Sequence, residues 1–229
     1  MKTIFIEAKA EGIELPYGII KSLPERIALA ATVQFTGNIE KIKEDIEKSG
    51  RQVILYQGLK SAYPGQILGC DVETLDDAEN IDAFLFIGDG LFHPKMLVIK
   101  NNITVFAYDP FSEKFDRIEK TDVDRMLKRG KGSMIRFLSS DEIGIIVSTK
   151  TGQYYNDARK RLEDKYPDKN FYTFLSDTID FSQMENFPFI QAWVNTACPR
   201  IGYDDASKFK KSIVNISHVL DENPYENET

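Results

Sequence analysis

The chain has 229 residues, 42% hydrophobic and 28% charged, which suits one large or two small globular domains and excludes a disordered, collagen-like or disulfide-scaffold protein. With 29 basic against 36 acidic residues the net charge is −7, so phosphate backbones and anionic lipid repel it, and neither nucleic acid nor a membrane is expected as a direct partner. No apolar run approaches the roughly twenty residues that span a bilayer. Glu7 interrupts the apolar start before a signal core forms, so residues 1–7 are expected to be a strand of a cytoplasmic protein.

Residues 27–35, Ile-Ala-Leu-Ala-Ala-Thr-Val-Gln-Phe, read as a buried strand. The helix expected from Asn38 to Lys48 carries Ile39, Ile42 and Ile46 at helical spacing. Asn38 is a natural N-cap, Gly50 suits a left-handed helix end, and Val53 to Tyr56 completes a βαβ unit. Further strands are expected at Ala83 to Ile87 and Ile103 to Ala107, the second leading into an Asp109-Pro110-Phe111-Ser112 turn. A helix from Asp122 to about Leu138 contains the basic stretch Lys128-Arg129-Gly130-Lys131-Gly132, which reads as a solvated helix end in preference to a phosphate or partner site.

The scheme then repeats. Strand Ile143 to Ser148 is followed by Thr151-Gly152, in the place of Thr36-Gly37, and by a helix with Tyr155, Ala158, Leu162 and Tyr166 on one face. Strand Phe171 to Leu175 and an inserted loop around Ser182 to Pro188 come next, and the tail from Asp221 to Thr229 is expected to fray. This alternation predicts an α/β fold of two repeated α/β domains with largely parallel sheets, residues 1–118 and 119–229. Each half carries one cysteine after its second strand, so two copies about a pseudo-rotation axis would present Cys70 and Cys198 from equivalent loops toward a shared centre.

Small residues crowd both cysteines, in Pro64-Gly65-Gln66-Ile67-Leu68-Gly69-Cys70-Asp71 and Asn195-Thr196-Ala197-Cys198-Pro199-Arg200. Such loops leave amides free to point at sulfur and suit a metal cluster. Spacing alone nevertheless favours two buried cysteines used as small apolar side chains. Gly88-Asp89-Gly90-Leu91-Phe92-His93-Pro94 leaves a strand's carboxyl end, where α/β sheets bind nucleotide-like ligands, but it lacks the full dinucleotide fingerprint. Ser148-Thr149-Lys150-Thr151-Gly152-Gln153 lacks the complete phosphate-loop pattern, which argues against a kinase or ATPase. Two histidines, His93 and His218, are too few for a histidine zinc site, and no nucleophile elbow supports a Ser-His-Asp hydrolase.

Taken in order, Gly-Gln-Ile-Leu-Gly-Cys70-Asp, Gly-Asp-Gly-Leu-Phe-His93-Pro, Asp109-Pro110, Thr149-Lys-Thr-Gly-Gln153 and Ala-Cys198-Pro-Arg-Ile-Gly-Tyr-Asp204 resemble the diphthamide synthase, or 2-(3-amino-3-carboxypropyl)histidine synthase, family, from about Thr32 to Asp204. The resemblance implies a domain repeated three times, each copy giving one cysteine to a 4Fe-4S cluster, with Cys70 the middle ligand and Cys198 the last. It implies a radical S-adenosyl-L-methionine-dependent transfer of a 3-amino-3-carboxypropyl group to a histidine of translation elongation factor 2, the first step of diphthamide biosynthesis. Support for the cofactors would come from Gly65, Gln66, Gly69, Gly88, Gly90, His93, Thr149, Lys150, Gln153 and Arg200. His93 could contact the sulfonium ligand or cap its own turn, and Arg200 could pair with Asp204 or Asp205 or bind a substrate carboxylate.

Two departures stand out. The sequence matches from the family's second domain onward, so the first domain and its cysteine are expected to be missing, and Ser148 stands where the family usually has glycine. Two thiolates cannot complete a three-cysteine cradle. The preferred expectation is an enzyme subunit whose third cysteine comes from a separate polypeptide, in a possible homo- or hetero-oligomer. The alternatives are a cluster bound with another ligand in place of the third thiolate, a non-catalytic paralogue serving as scaffold or electron-delivery partner of a complete synthase, and an ordinary nucleotide-binding protein with two buried cysteines.

Overall fold

The computed structural model describes residues 4, 6–70, 72–75, 80–150, 153 and 157–220. The expected turn at Thr151-Gly152, the placement of Tyr155, and the tail lie outside them. The chain divides into two compact units, Met1–Asp124 and Arg125–Thr229, and the division falls inside one helix.

In the first unit, helix α1 (Tyr17–Ser22) precedes strand β1 (Arg26–Ala31), helix α2 (Ile39–Glu47) and strand β2 (Gln52–Leu55). Strand β3 (Ala83–Ile87), helix α3 (Phe92–Asn101) and strands β4 (Val105–Asp109) and β5 (Lys114–Ile118) follow. The sheet has the order β2-β1-β3-β4-β5, with β5 antiparallel to β4 and every other pairing parallel. Side chains alternate across a strand. Ile27, Leu29, Ala83, Leu85 and Ile87 accordingly bury one face against the Ile39, Ile42 and Ile46 stripe of α2.

Several expectations need correction here. Residues 4, 6 and 7 form no strand, and Ile4 and Ile6 are exposed. The first strand stops at Ala31, because Val33–Asn38 closes into a 3₁₀ turn. Asn38 does not cap α2 with its side chain. Its carboxamide accepts from Ile13 N at 3.1 Å and donates to Ala10 O at 2.8 Å, which fastens the N-terminal segment to the unit. Gly50 behaves as expected, at φ +87° just past the end of α2.

Helix α4 (Lys120–Leu138) carries the basic stretch in its middle, not at an end. The second unit continues with β6 (Glu142–Ser148), α5 (Ala158–Lys165), β7 (Asn170–Ser176), α6 (Phe181–Met184), β8 (Ala192–Asn195), α7 (Arg200–Tyr203), β9 (Ser212–Asn215) and α8 (Ile216–Leu220). Its sheet is wholly parallel, in the order β7-β6-β8-β9. Ile143, Ile145, Val147 and Val194 pack on Ala158 and Leu162 of α5 and Val219 of α8. Ile146, Trp193 and Ile213 bury the other face with Met184 and Phe209.

The parallel strands of the two units follow one plan: β2-β1-β3-β4 and β7-β6-β8-β9 correspond in order and direction. The cysteines do not correspond. Cys70 lies between β2 and β3, the second and third strands of its unit, whereas Cys198 follows β8, the third strand of its own. The expectation of equivalent loops fails because β8, four residues long, precedes Cys198 and adds a strand to the count.

Candidate functional site

In each sheet the chain steps first to one side of its first parallel strand and then to the other. The strand order therefore reverses between β1 and β3 in the first unit and between β6 and β8 in the second. Open α/β sheets bind ligands in the crevice at the carboxyl ends of such strand pairs. Both cysteine loops reach that place, by different routes.

The Cys70 loop is laid along the end of β1. Ala31 N donates to Gly65 O at 2.7 Å, Ile67 N donates to Ala31 O at 2.9 Å, and Ala31 pairs with Gln66 as an isolated parallel bridge. Gly65 has φ +73°, and a Cβ there would collide with the Ile39 side chain, so glycine is required on both counts. The buried Gln66 closes its own turn, Oε1 accepting from Ala62 N at 2.8 Å and Tyr63 N at 3.1 Å. A Cβ on Gly69 would lie 2.8 Å from Phe92 Cε1 and 3.3 Å from His93 Nε2, so this backbone rests directly on the first turn of α3. The loop after Cys70 is held where Glu73 N donates to the Tyr56 hydroxyl at 2.7 Å.

Gly88 and Gly90 form the turn between β3 and α3, with Gly88 N donating to Tyr108 O at 3.0 Å and Gly90 at φ +70°. The His93 ring stacks on Phe86, with centroids 5.7 Å apart and planes 18° from parallel. The first unit thus gathers Gly65, Gln66, Gly69 and Cys70 beside Gly88, Gly90 and His93.

Cys198 follows β8 directly. Thr196 N and Oγ1 both donate to Ile146 O, at 3.1 and 2.8 Å, tying the end of β8 to β6. Beside it opens a cleft of about 300 Å³ whose lining includes Cys198, Ser148, Lys150, Gln153, Thr178 and Phe181. Thr149 N donates to Ser176 O at 3.1 Å, and Gln153 N to Lys150 O at 3.0 Å. Of the predicted residues of this unit, Lys150 and Gln153 therefore meet Cys198 at one cleft. Arg200 instead pairs at the surface with Asp204, Nε to Oδ2 at 3.1 Å. Tyr203 is buried, with its hydroxyl 2.7 Å from His218 Nε2, and burial pushes its phenol up to about 12.

Neither cysteine forms a disulfide, and Cys70 is exposed and Cys198 half-buried, which corrects the expectation of two buried apolar side chains. Soft, accessible thiolates are the donors that iron–sulfur clusters take, so the residues fit such a group in kind. Among the described residues no group of three or more His, Cys, Asp or Glu converges.

Sequence reasoning did not single out two buried asparagines beside the Cys198 loop. Asn195 and Asn215, at the ends of β8 and β9, are 1% and 3% exposed and hold the Cys198 loop. Asn195 lies three residues before the cysteine, a spacing that could have signalled it. Asn215 had no local signal, being seventeen positions beyond.

The diphthamide synthesis protein family matches residues 2–220. The 2-(3-amino-3-carboxypropyl)histidine synthase of Pyrococcus horikoshii is 29% identical over 95% of this chain and 64% of its own length. The Caenorhabditis elegans protein named subunit 1 of that synthase is 32% identical over 83% of this chain and 48% of its own. The crystal structure of Dph2 from Pyrococcus horikoshii with a 4Fe-4S cluster superposes with a TM-score of 0.73 at 27% identity, covering 93% of this chain and 61% of that one. The chain thus spans about half to two thirds of the length of these relatives. With a family match over nearly its whole length and the same fold, this chain belongs to the diphthamide synthesis protein family.

Proposed function

We propose that this chain is a subunit of a radical S-adenosyl-L-methionine-dependent 3-amino-3-carboxypropyl transferase that acts on a histidine of translation elongation factor 2, in the first step of diphthamide biosynthesis. What supports the reading is that the loop leading to Cys70 runs along the carboxyl end of β1 and Cys198 follows the carboxyl end of β8, each strand bordering a strand-order reversal, with neither cysteine in a disulfide. Cys70 and Cys198 would hold iron. A 4Fe-4S cluster, when bound, supplies the electron that splits the sulfonium bond of S-adenosyl-L-methionine.

The protein's own part is to bind, orient and exclude water. In the first unit Gly65 and Gln66 hold the Cys70 loop along β1 and Gly69 lets it rest on α3, while Gly88, Gly90 and His93 offer a turn for part of the cofactor. In the second, Lys150 and Gln153 supply polar groups beside Cys198, with Thr149 adjacent in the chain to Lys150 and Arg200 two residues beyond the cysteine. The two cysteines of this sequence supply two thiolates, and in this reading a separate polypeptide supplies the third. The pairing is consistent with relatives that carry the name of a synthase subunit.

The test is anaerobic reconstitution of the chain with iron and sulfide, with and without a candidate partner polypeptide, followed by addition of a reductant, S-adenosyl-L-methionine and elongation factor 2. Methylthioadenosine release and a mass increase on the target histidine, dependent on both chains, are expected. A colourless chain that co-purifies with a complete synthase and adds nothing to turnover would instead be its scaffold.

A further inference from the structure

The two thiols are held by different means. Cys70 depends on backbone pairing with β1, whereas the Cys198 loop is gripped by side chains. Asn195 Oδ1 accepts from Ala197 N at 3.1 Å, and Asn195 Nδ2 donates to Cys198 O at 3.0 Å, so one carboxamide grips the dipeptide Ala197-Cys198 at both ends. The same Nδ2 donates to Asn215 Oδ1 at 2.7 Å, and Asn215 Nδ2 donates to Pro199 O at 2.8 Å. A Cβ on Gly202 would collide with the Asn215 carboxamide, so the first turn of α7 closes over the pair.

A sheet core needs no amides to hold two parallel strands. Two buried carboxamides at the ends of β8 and β9 require their polar atoms to be satisfied. Four of these bonds are made, three to the backbone of residues 197–199 and one between the two amides. A side chain with the wrong donor pattern leaves a buried group unpaired, which costs more than an ordinary hydrogen bond is worth. The pair is thus suited to fixing one backbone conformation at Cys198.

We propose that Asn195 and Asn215 are positioning residues for the Cys198 thiol, holding its sulfur at the cleft in the orientation a metal cluster requires. This rests on the reading of Cys198 as a ligand. Neither side chain is assigned contact with iron or substrate; each acts through the cysteine.

The experiment uses the full chain without iron, alkylated with iodoacetamide, with each cysteine followed separately by peptide mass spectrometry. Asn195→Asp and Asn215→Asp keep shape but exchange donors for acceptors, and Asn215→Ser shortens the side chain. Cys198 should react about tenfold faster in these variants, as loss of one buried hydrogen bond from a local opening equilibrium implies. Cys70 serves as the control and should not change. Trp193, the chain's one tryptophan and 0% exposed, reports whether the second unit is intact, and its emission should stay native.

Unchanged Cys198 reactivity in all three variants overturns the proposal. So does acceleration that appears only together with a red-shifted Trp193 emission in every variant, since the pair would then serve the unit and not the loop. If Cys198→Ser binds as much iron as wild type, the ligand reading fails instead, a result independent of the alkylation rates.

Discussion

The Cys70 and Cys198 loops bring the same chemical group to the same edge of similar sheets, and they are built differently. The first is a long β2–β3 connection stitched to β1 through Gly65, Gln66 and Ile67, leaving its thiol exposed. The second is a short β8–α7 turn clamped by two buried asparagines, with its thiol half-buried. A crevice at a strand-order reversal can thus be furnished from whichever connection passes it, and correspondence of fold does not require correspondence of loops.

The largest expected difference between the two regions lies in alkaline stability. Tyr203 ionises near 10.0 when unperturbed and at about 12 in the fold. Between those values the folded chain keeps a proton that the unfolded chain has lost. Its contribution is therefore full below pH 10 and is lost as pH rises through 12, by roughly 3 kcal/mol in all. Trp193-monitored melting of the second unit should fall steeply over this range, and Tyr203→Phe should flatten the fall. A slope that persists in Tyr203→Phe would assign it elsewhere.

The two glycines that support the loops offer a more even contrast. Gly69→Ala presses a methyl group against Phe92, and Gly202→Ala presses one against Asn215. Each should cost about 1–3 kcal/mol by overpacking. The first should speed alkylation of Cys70 alone and the second that of Cys198 alone; if either change altered both thiols equally, the loops would not be separately supported. The smallest effect is expected from Tyr56→Phe, which leaves Glu73 N without its acceptor and should cost about 1 kcal/mol. Urea titration of the variant checks it.

What the sequence disclosed follows from how strongly each element is patterned. Ala83–Ile87 is all apolar and buried throughout, and the α2 stripe of Ile39, Ile42 and Ile46 is regular, so both could be read directly. Strand β5, Lys-Phe-Asp-Arg-Ile, is an edge strand whose exposed charges hide it. Helix α3 begins with Phe92-His93-Pro94 and was legible only as a turn, because proline is tolerated in the first turn of a helix while also marking loops. Strands β8 and β9 are four residues each, too short for a period to emerge. The segment read as an inserted loop contains α6 and a turn fixed by Lys211 Nζ, which donates to Phe187 O at 2.8 Å and Ile190 O at 2.7 Å, with burial pushing its ammonium down. The cysteine motifs were visible because glycine, proline and cysteine are locally distinctive, whereas Asn215 acts at a distance that no local pattern records.

The central claim is that Cys70 and Cys198 are both iron ligands, and iron content per chain after anaerobic reconstitution with the partner polypeptide tests it most directly. Wild type should be brown and give a reducible 4Fe-4S paramagnetic signal that disappears in Cys70→Ser and again in Cys198→Ser. If both variants retain as much iron and the same signal as wild type, the thiols are not its ligands and the account is wrong.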